Sequence, residues 1–193
     1  MKELPQAMDL LLTAAEVASR SIDAAAQADP ASQTPCTEWD LATLIRHLAD
    51  SALVLRQLLD GTMPELPPPA GCAAAQHELA RLRDAVDRAP RSVPSLDLAA
   101  LAGSYELTVH AWDINRTTRN NECLPRDLVS SLLELAPLVL DDIDRTGLFA
   151  APLPPGSERS DEERLLALFG RRDRQSPPTQ ADPPIEPTRT PHI

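Results

Sequence analysis

Apolar residues along the chain recur at the three- and four-residue spacing of a helix, and almost nowhere in the alternation of a strand. The first such segment runs from about Glu3 to Ala28, is rich in Ala and Leu, and has no Gly or Pro inside it after Pro5. Asp29-Pro30 ends it, because the residue before a proline is pushed out of the α region. A polar connection follows to Glu38. Thr37 is the expected N-cap of a second helix, Asp40 three positions on completes a capping-box-like start, and Gly61 stops the helix after Asp60. Pro64, Pro67, Pro68 and Pro69 forbid regular structure before a third helix, about Ala73 to Arg88, which has the weakest core stripe. Ala89-Pro90 and Pro94 break the chain again, and a fourth helix is expected from near Leu96 to about Arg119, ended by the turn residues Asn120 and Asn121. A fifth starts at Pro125 and extends through Leu140 to about Arg145, with Pro137 threatening a kink and Gly147 closing it. A short helix from about Asp161 to Phe169 packs onto the body through Leu165, Leu166, Leu168 and Phe169. From Arg171 onward there are six prolines in 23 residues and almost no apolar side chains, too little to offset the entropy of ordering. The expected organisation is one domain over residues 1–170 and a disordered Pro-rich tail over 171–193.

Composition narrows the class. A chain of 193 residues suffices for one domain with its own core. It is 42% hydrophobic but only 3% aromatic, so the core must be built from Leu, Ala, Val and Ile, as helix-on-helix packing commonly is; with six glycines and no strand signals, an all-α bundle follows. The net charge of −11 opposes contact with phosphate backbones and argues against nucleic acid as a partner. No leader peptide precedes the first helix, and no stretch approaches about 18 uncharged apolar residues, so a cytoplasmic protein with no membrane association is expected. Cys36, Cys72 and Cys123 form no CxxC pair and suggest neither a disulfide framework nor a thiolate zinc site; they read as small buried or indifferent residues.

Candidate chemistry lies on two helices. On a helical wheel Leu41, Leu44, Ile45, Leu48, Ala52, Leu55 and Leu59 form the core stripe of the second helix, and His47 falls beside it, with Val54, Leu58 and Leu44 as angular neighbours. In SYELTVHAWD on the fourth helix, Glu106 and His110 stand four residues apart, one above the other, with Cβ atoms roughly 5–6 Å apart. That separation suits two ligands of one zinc-like cation. Ala99, Ala102 and Gly103 make the same face hollow, and Asp113 could orient the imidazole of His110 or serve as an extra ligand. A buried carboxylate needs a partner, no Arg or Lys lies on this face before Arg116, and a cation would meet the need. Three protein ligands also leave a coordination position open for water or substrate. The competing reading is a hydrogen-bonded Glu106–His110 pair beside an ordinary core histidine at His47. Ser104, Tyr105, Trp39, Trp112 and Cys36 are pocket candidates of lower rank, more often core; His77 and His192 read as solvated.

At these residues the chain resembles a known family. TPCTEWDLATLIRHLADS, followed about sixty residues later by ELTVHAWDINRTT and then by LPRDLVSSLLELAP and GLFAAPLPP, is similar to the DinB-like metal-binding proteins, and most closely to their branch containing the mycothiol-dependent maleylpyruvate isomerases. The resemblance covers roughly Leu10 to Gly170 and is concentrated in W-x-x-x-x-L-x-x-H-L and E-x-x-x-H-x-W-D. It implies a DinB-like four-helix bundle with an extra C-terminal short helix, and a divalent metal, most often Zn²⁺, held by His47, Glu106 and His110. In thiol-using members the open position binds and acidifies a low-molecular-weight thiol such as mycothiol, which attacks an electrophilic small molecule in a transfer or an isomerisation. The isomerases carry a further C-terminal domain where this chain has a short helix and the Pro-rich tail, so the specific isomerisation is not implied. The alternative function is a non-catalytic metal-binding bundle acting as a binding or regulatory protein. Homodimer formation through an exposed apolar helix face is a further expectation.

Overall fold

The spacing of Ala and Leu yields helices throughout. The computed structural model describes residues 7–36, 39–62, 66–67, 69–91, 93–140, 151–154 and 160–172. They form α1 (Ala7–Ala25), α2 (Leu41–Asp60), α3 (Cys72–Arg88), α4 (Pro94–Thr118), α5 (Arg126–Leu140) and α6 (Asp161–Leu168). The only β-type pairing among the described residues is an isolated antiparallel bridge, Gln33 with Asp40. The expected all-α four-helix bundle is therefore the fold: α1 packs most extensively on α4, α2 lies on α3 and α4, and α3 closes against α1. The extra helices α5 and α6 pack on each other and reach the bundle through α4. No helix among the described residues is long and apolar enough to cross a membrane.

The core stripe of α2 is buried at every position the periodicity assigned to it, Leu41, Leu44, Ile45, Leu48, Ala52, Leu55 and Leu59. Val54 and Leu58, in contrast, are 53% and 52% exposed, so the angular neighbourhood of His47 is a rim rather than an interior. At Gly103 in α4, which also lines a cavity, the space of the missing side chain is taken by Leu55. A Cβ there would stand 2.6 Å from Leu55 Cδ1, so the missing side chain lets Leu55 of α2 lie against the backbone of α4. This close approach brings the chemistry-bearing faces of the two helices together.

Several boundaries differ from expectation, each for a local reason. The first helix ends at Ala25 and passes through a tight turn in which Ala28 N–H donates to the Ala25 carbonyl (2.9 Å) before Asp29-Pro30 is reached. Thr37 lies outside the described residues, and the cap of α2 is Asp40, whose carboxylate accepts from Thr43 N–H at 2.8 Å. The first four N–H groups of this helix are all satisfied: Leu41 donates to the Ser32 carbonyl, Ala42 to Pro30, Thr43 to the Asp40 side chain and Leu44 to the Asp40 carbonyl. The 30–40 loop is thus folded back on the start of α2, which carries Cys36 and Trp39 to the site. Pro94 opens α4 rather than preceding it, as its fixed φ and missing N–H favour a first turn. Arg119 ends that helix in the left-handed region at φ 58°, one residue before the expected Asn turn. Pro137 sits inside α5. The expected end of that helix near Arg145 and Gly147, and the tail from 173 on, lie outside the described residues. Ser160 caps α6 with Glu163 in a reciprocal capping box, a signal present in the sequence as S-x-x-E.

The cap of α2 makes a checkable statement. Hydrogen bonds from Thr43 hold the Asp40 carboxyl below its ordinary pKa of 3.8, so its stabilisation is present above that value and disappears as pH falls through the lowered one. Asp40→Ala should lower the melting temperature at neutral pH, Asp40→Asn should retain most of it, and the gap between Asp40→Ala and the parent should close in strongly acidic buffer; a pH-independent gap would contradict the cap.

Candidate metal centre

Turning α2 and α4 face to face places His47 and Ser51, four residues apart on the first helix, opposite Glu106 and His110, four apart on the second. Glu106 Oε1 is in direct contact with His47 Nε2, lies 3.4 Å from His110 Nε2, and accepts from Ser51 Oγ at 3.1 Å. The two imidazoles meet edge to face with centroids 5.0 Å apart, and the Trp39 ring packs 4.5 Å from His47. Donor atoms of His47, Glu106 and His110 all lie within 4.8 Å of one another. The three residues singled out in the sequence are therefore gathered at one point. Two imidazole nitrogens and one carboxylate oxygen are a donor set that fits a zinc-like divalent ion, whose ligands sit about 2.0–2.2 Å from the metal.

Behind His110 lies a support that the sequence reading named only in part. Asp113, one turn on, is fully buried, and its Oδ2 is 3.1 Å from His110 Nδ1. An ionised carboxylate can only accept, so Nδ1 carries the proton and Nε2 is the atom turned to Glu106. The second carboxylate oxygen and the remaining capacity of the first are taken by Arg171, whose Nε and Nη2 reach Oδ1 and Oδ2 at 3.3 and 2.9 Å. Arg171 also donates to the Phe169 carbonyl (2.9 Å) and to Cys36 Sγ (2.8 Å), and Cys36 in turn lies 3.2 Å from Asp113 Oδ2. Donor atoms of Cys36, His110 and Asp113 also lie within 4.8 Å of one another. A guanidinium already occupies that side, so we read this second group as the scaffold of His110 and not as another cation site.

Cys36 was only a lower-ranked pocket candidate in the sequence, not a contact of Asp113, and Arg171 was assigned no role at the site. Cys36 sits in a loop, where wheel logic does not apply, and Arg171 falls one residue past the boundary drawn at Gly170 because the composition of the following 22 residues conceals it. Ser51 was overlooked too, although its spacing from His47 is the same as that of Glu106 from His110. Of the lower-ranked candidates, Tyr105 lines the cavity described below and donates to the Leu132 carbonyl at 2.5 Å, Trp112 is core with Arg116 over its ring, and Ser104 is buried and bonded to the Ala100 carbonyl. His77 is exposed, as expected, and His192 is outside the described residues.

Charge follows geometry. Burial pushes the Glu106 carboxyl up, but hydrogen bonds and positive charge from His110 and His47 outweigh it and hold the group well below the usual carboxylate range. Burial lowers His110, yet its bonds to Asp113, Cys36 and Glu106 raise it well above an ordinary imidazole. Asp113 is driven up by burial and pulled down further by His110 and Arg171. The two carboxylates of α4 are thus answered by the imidazoles of His47 and His110 and by the Arg171 guanidinium.

Beside Glu106 a cavity of ≈ 470 Å³ opens between α2, α4, α5 and the end of α6. Ala102 and Gly103 border it as the sequence suggested; Ala99 does not.

The family model described as mycothiol maleylpyruvate isomerase N-terminal domain matches residues 11–115, just over half of the chain. No curated protein and no solved structure matches. The matched stretch contains His47, Glu106, His110 and Asp113 and ends before α5, α6 and Arg171.

The support of Asp113 can be tested without any ligand. Arg171→Met leaves a carboxylate buried without its cation and should cost about 3 kcal/mol of unfolding free energy in urea. Adding Asp113→Asn to that variant should recover at least half of the loss, whereas simple additivity of the two substitutions would show that the pair is not coupled.

Proposed function

Because the chain belongs to the mycothiol maleylpyruvate isomerase N-terminal domain family, we propose that it is a metal-dependent enzyme using a low-molecular-weight thiol of the mycothiol type on an electrophilic small molecule. The reading is carried by one observation: His47, Glu106 and His110 converge with donor atoms within 4.8 Å of one another, and two of them, His47 and Glu106, line a cavity. These three residues would hold the divalent ion, most simply Zn²⁺ given two nitrogens and one oxygen. When bound, such an ion supplies the charge that converts a thiol to its nucleophilic thiolate at neutral pH.

The chain's own groups have distinct tasks. Asp113, held by Arg171, keeps His110 Nδ1–H engaged and its Nε2 directed at the centre. Ser51 donates to Glu106 and fixes the carboxylate between the helices. Trp39 covers His47 on the side of the 30–40 loop, and the cavity on the other side receives the electrophile. In a transfer the thiol sulfur forms a bond to carbon as a leaving group departs and the thiol proton passes to solvent. In an isomerisation the same bond forms across a double bond, rotation follows and the thiol is expelled unchanged. The two share a first step, and the site serves both.

Elemental analysis of the purified protein should find one equivalent of a divalent metal, lost in His47→Ala and in His110→Ala while helicity by circular dichroism persists. Thiol consumption in the presence of an electrophile should fall to the uncatalysed rate in both variants and on chelation, and return when metal is restored to the parent alone. Thiol consumption that survives His47→Ala at the parental rate would sink the assignment.

A further inference from the structure

The lining of the cavity speaks to what enters it, on the reading of the site just given. Its walls are aliphatic and aromatic: Val54 and Leu55 from α2, Ala102 from α4, Val139 and Leu140 from α5, and Phe169 after α6. Among the described residues no Lys or Arg lines it. The nearest cation to the metal centre, Arg171, faces the opposite side of His110, where Asp113, Cys36 and the Phe169 carbonyl hold it. The polar lining side chains besides Tyr105, whose hydroxyl is bonded to Leu132, are His47, Asp50, Ser51 and Glu106. Glu106 and His47 are in contact with each other, and Ser51 donates to Glu106. That leaves Asp50, a carboxylate whose Oδ1 is buried with no hydrogen-bond partner.

A chamber of this make is hostile to an anion. A carboxylate entering it loses water, meets no guanidinium or ammonium, and approaches the negative charge of Asp50. The two positive charges expected at the three-ligand centre are already matched by Glu106 and the thiolate of the cosubstrate, so none remains for a second anion. An apolar ring, in contrast, gains burial against the aliphatic walls, and an N–H or ammonium at its edge gives the Asp50 carboxylate the donor it lacks. The volume of ≈ 470 Å³ is within the range of about 300–1,000 Å³ typical of small-molecule sites.

We propose that the electrophile taken by this cavity is a largely apolar compound that is uncharged or cationic, with Asp50 as the specificity-determining residue, and that dicarboxylates and other anionic electrophiles are refused. The chemistry that follows is substitution at a hydrophobic carbon electrophile: a carbon–sulfur bond forms, the bond to the leaving group breaks with its electron pair leaving as an anion to solvent, and the thiol proton goes to solvent.

Binding and turnover separate this class assignment from the thiol reading beneath it. Three unreactive nitroarenes with the same ring substitution, dinitrotoluene, dinitrobenzoate and dinitrobenzylammonium, are titrated into the metal-loaded full chain by calorimetry. The anion should bind at least about tenfold more weakly than the neutral compound, and the ammonium at least as tightly as the neutral one, the size expected for one unscreened charge contact near a protein surface. Asp50→Asn should narrow both gaps several-fold. Ala102→Phe places a ring in the cavity from an exposed position, so it should abolish binding of all three with an unchanged melting curve. Equal or tighter binding of the anion, an order unaffected by Asp50→Asn, or binding that survives Ala102→Phe overturns the proposal. The chloride-bearing counterparts are then offered with thiol. Charge-ordered binding without thiol consumption would remove the transferase reading and leave the ligand class standing; thiol consumption fastest with the anionic chloride would do the reverse.

Discussion

Two carboxylates seven residues apart on one helix, Glu106 half-buried and Asp113 fully buried, govern the rest of this protein. Glu106 and Asp113 project from α4 into a bundle whose core is mostly Leu, Ala, Val and Ile, where an unanswered negative charge is costly. Each is answered from a different part of the chain: Glu106 by His47 and Ser51 of α2, Asp113 by Arg171 beyond α6, and both by His110 between them. The requirement to bring those partners in fixes how α2 lies on α4, why Gly103 must be bare to admit Leu55, and why the chain returns after α6 to the bundle it left at α5.

The same requirement explains the division between ligand and support. Glu106 faces the cavity, where its neighbours are two imidazoles and a hydroxyl, groups that can share it with a cation. Asp113 faces away, against a guanidinium that closes both of its oxygens. His110 lies between and has one nitrogen for each, so the proton it must keep on Nδ1 is what frees Nε2 for coordination. The cysteine that sequence spacing gave no reason to notice is packed into that closed side as a contact of Arg171 and Asp113.

What the sequence disclosed follows from which physics is periodic. The all-helical class, the stripe of α2 and the convergence of His47, Glu106 and His110 were legible because helices repeat every 3.6 residues and carry their faces with them. Arg171 and Cys36 were not, since each reaches the site from a non-repeating segment whose path is set by tertiary contacts. The start of α2 shows the same limit on a smaller scale. Asp40 and Thr37 are both good caps, and the choice between them is made by Ser32 and Pro30, whose carbonyls fold back to take the first two N–H groups. At α6, where the capping box is local, the signal was in the sequence and needed only to be read.

The matched family domain stops at residue 115, yet Val139, Leu140 and Phe169 wall the cavity from beyond it. The walls of the cavity are therefore contributed from both sides of that boundary, with Val54, Leu55 and Ala102 inside the matched stretch and three apolar side chains after it. Substitutions at Val139 or Leu140 therefore offer a way to reshape the chamber from outside the matched stretch while His47, Glu106 and His110 stay as they are.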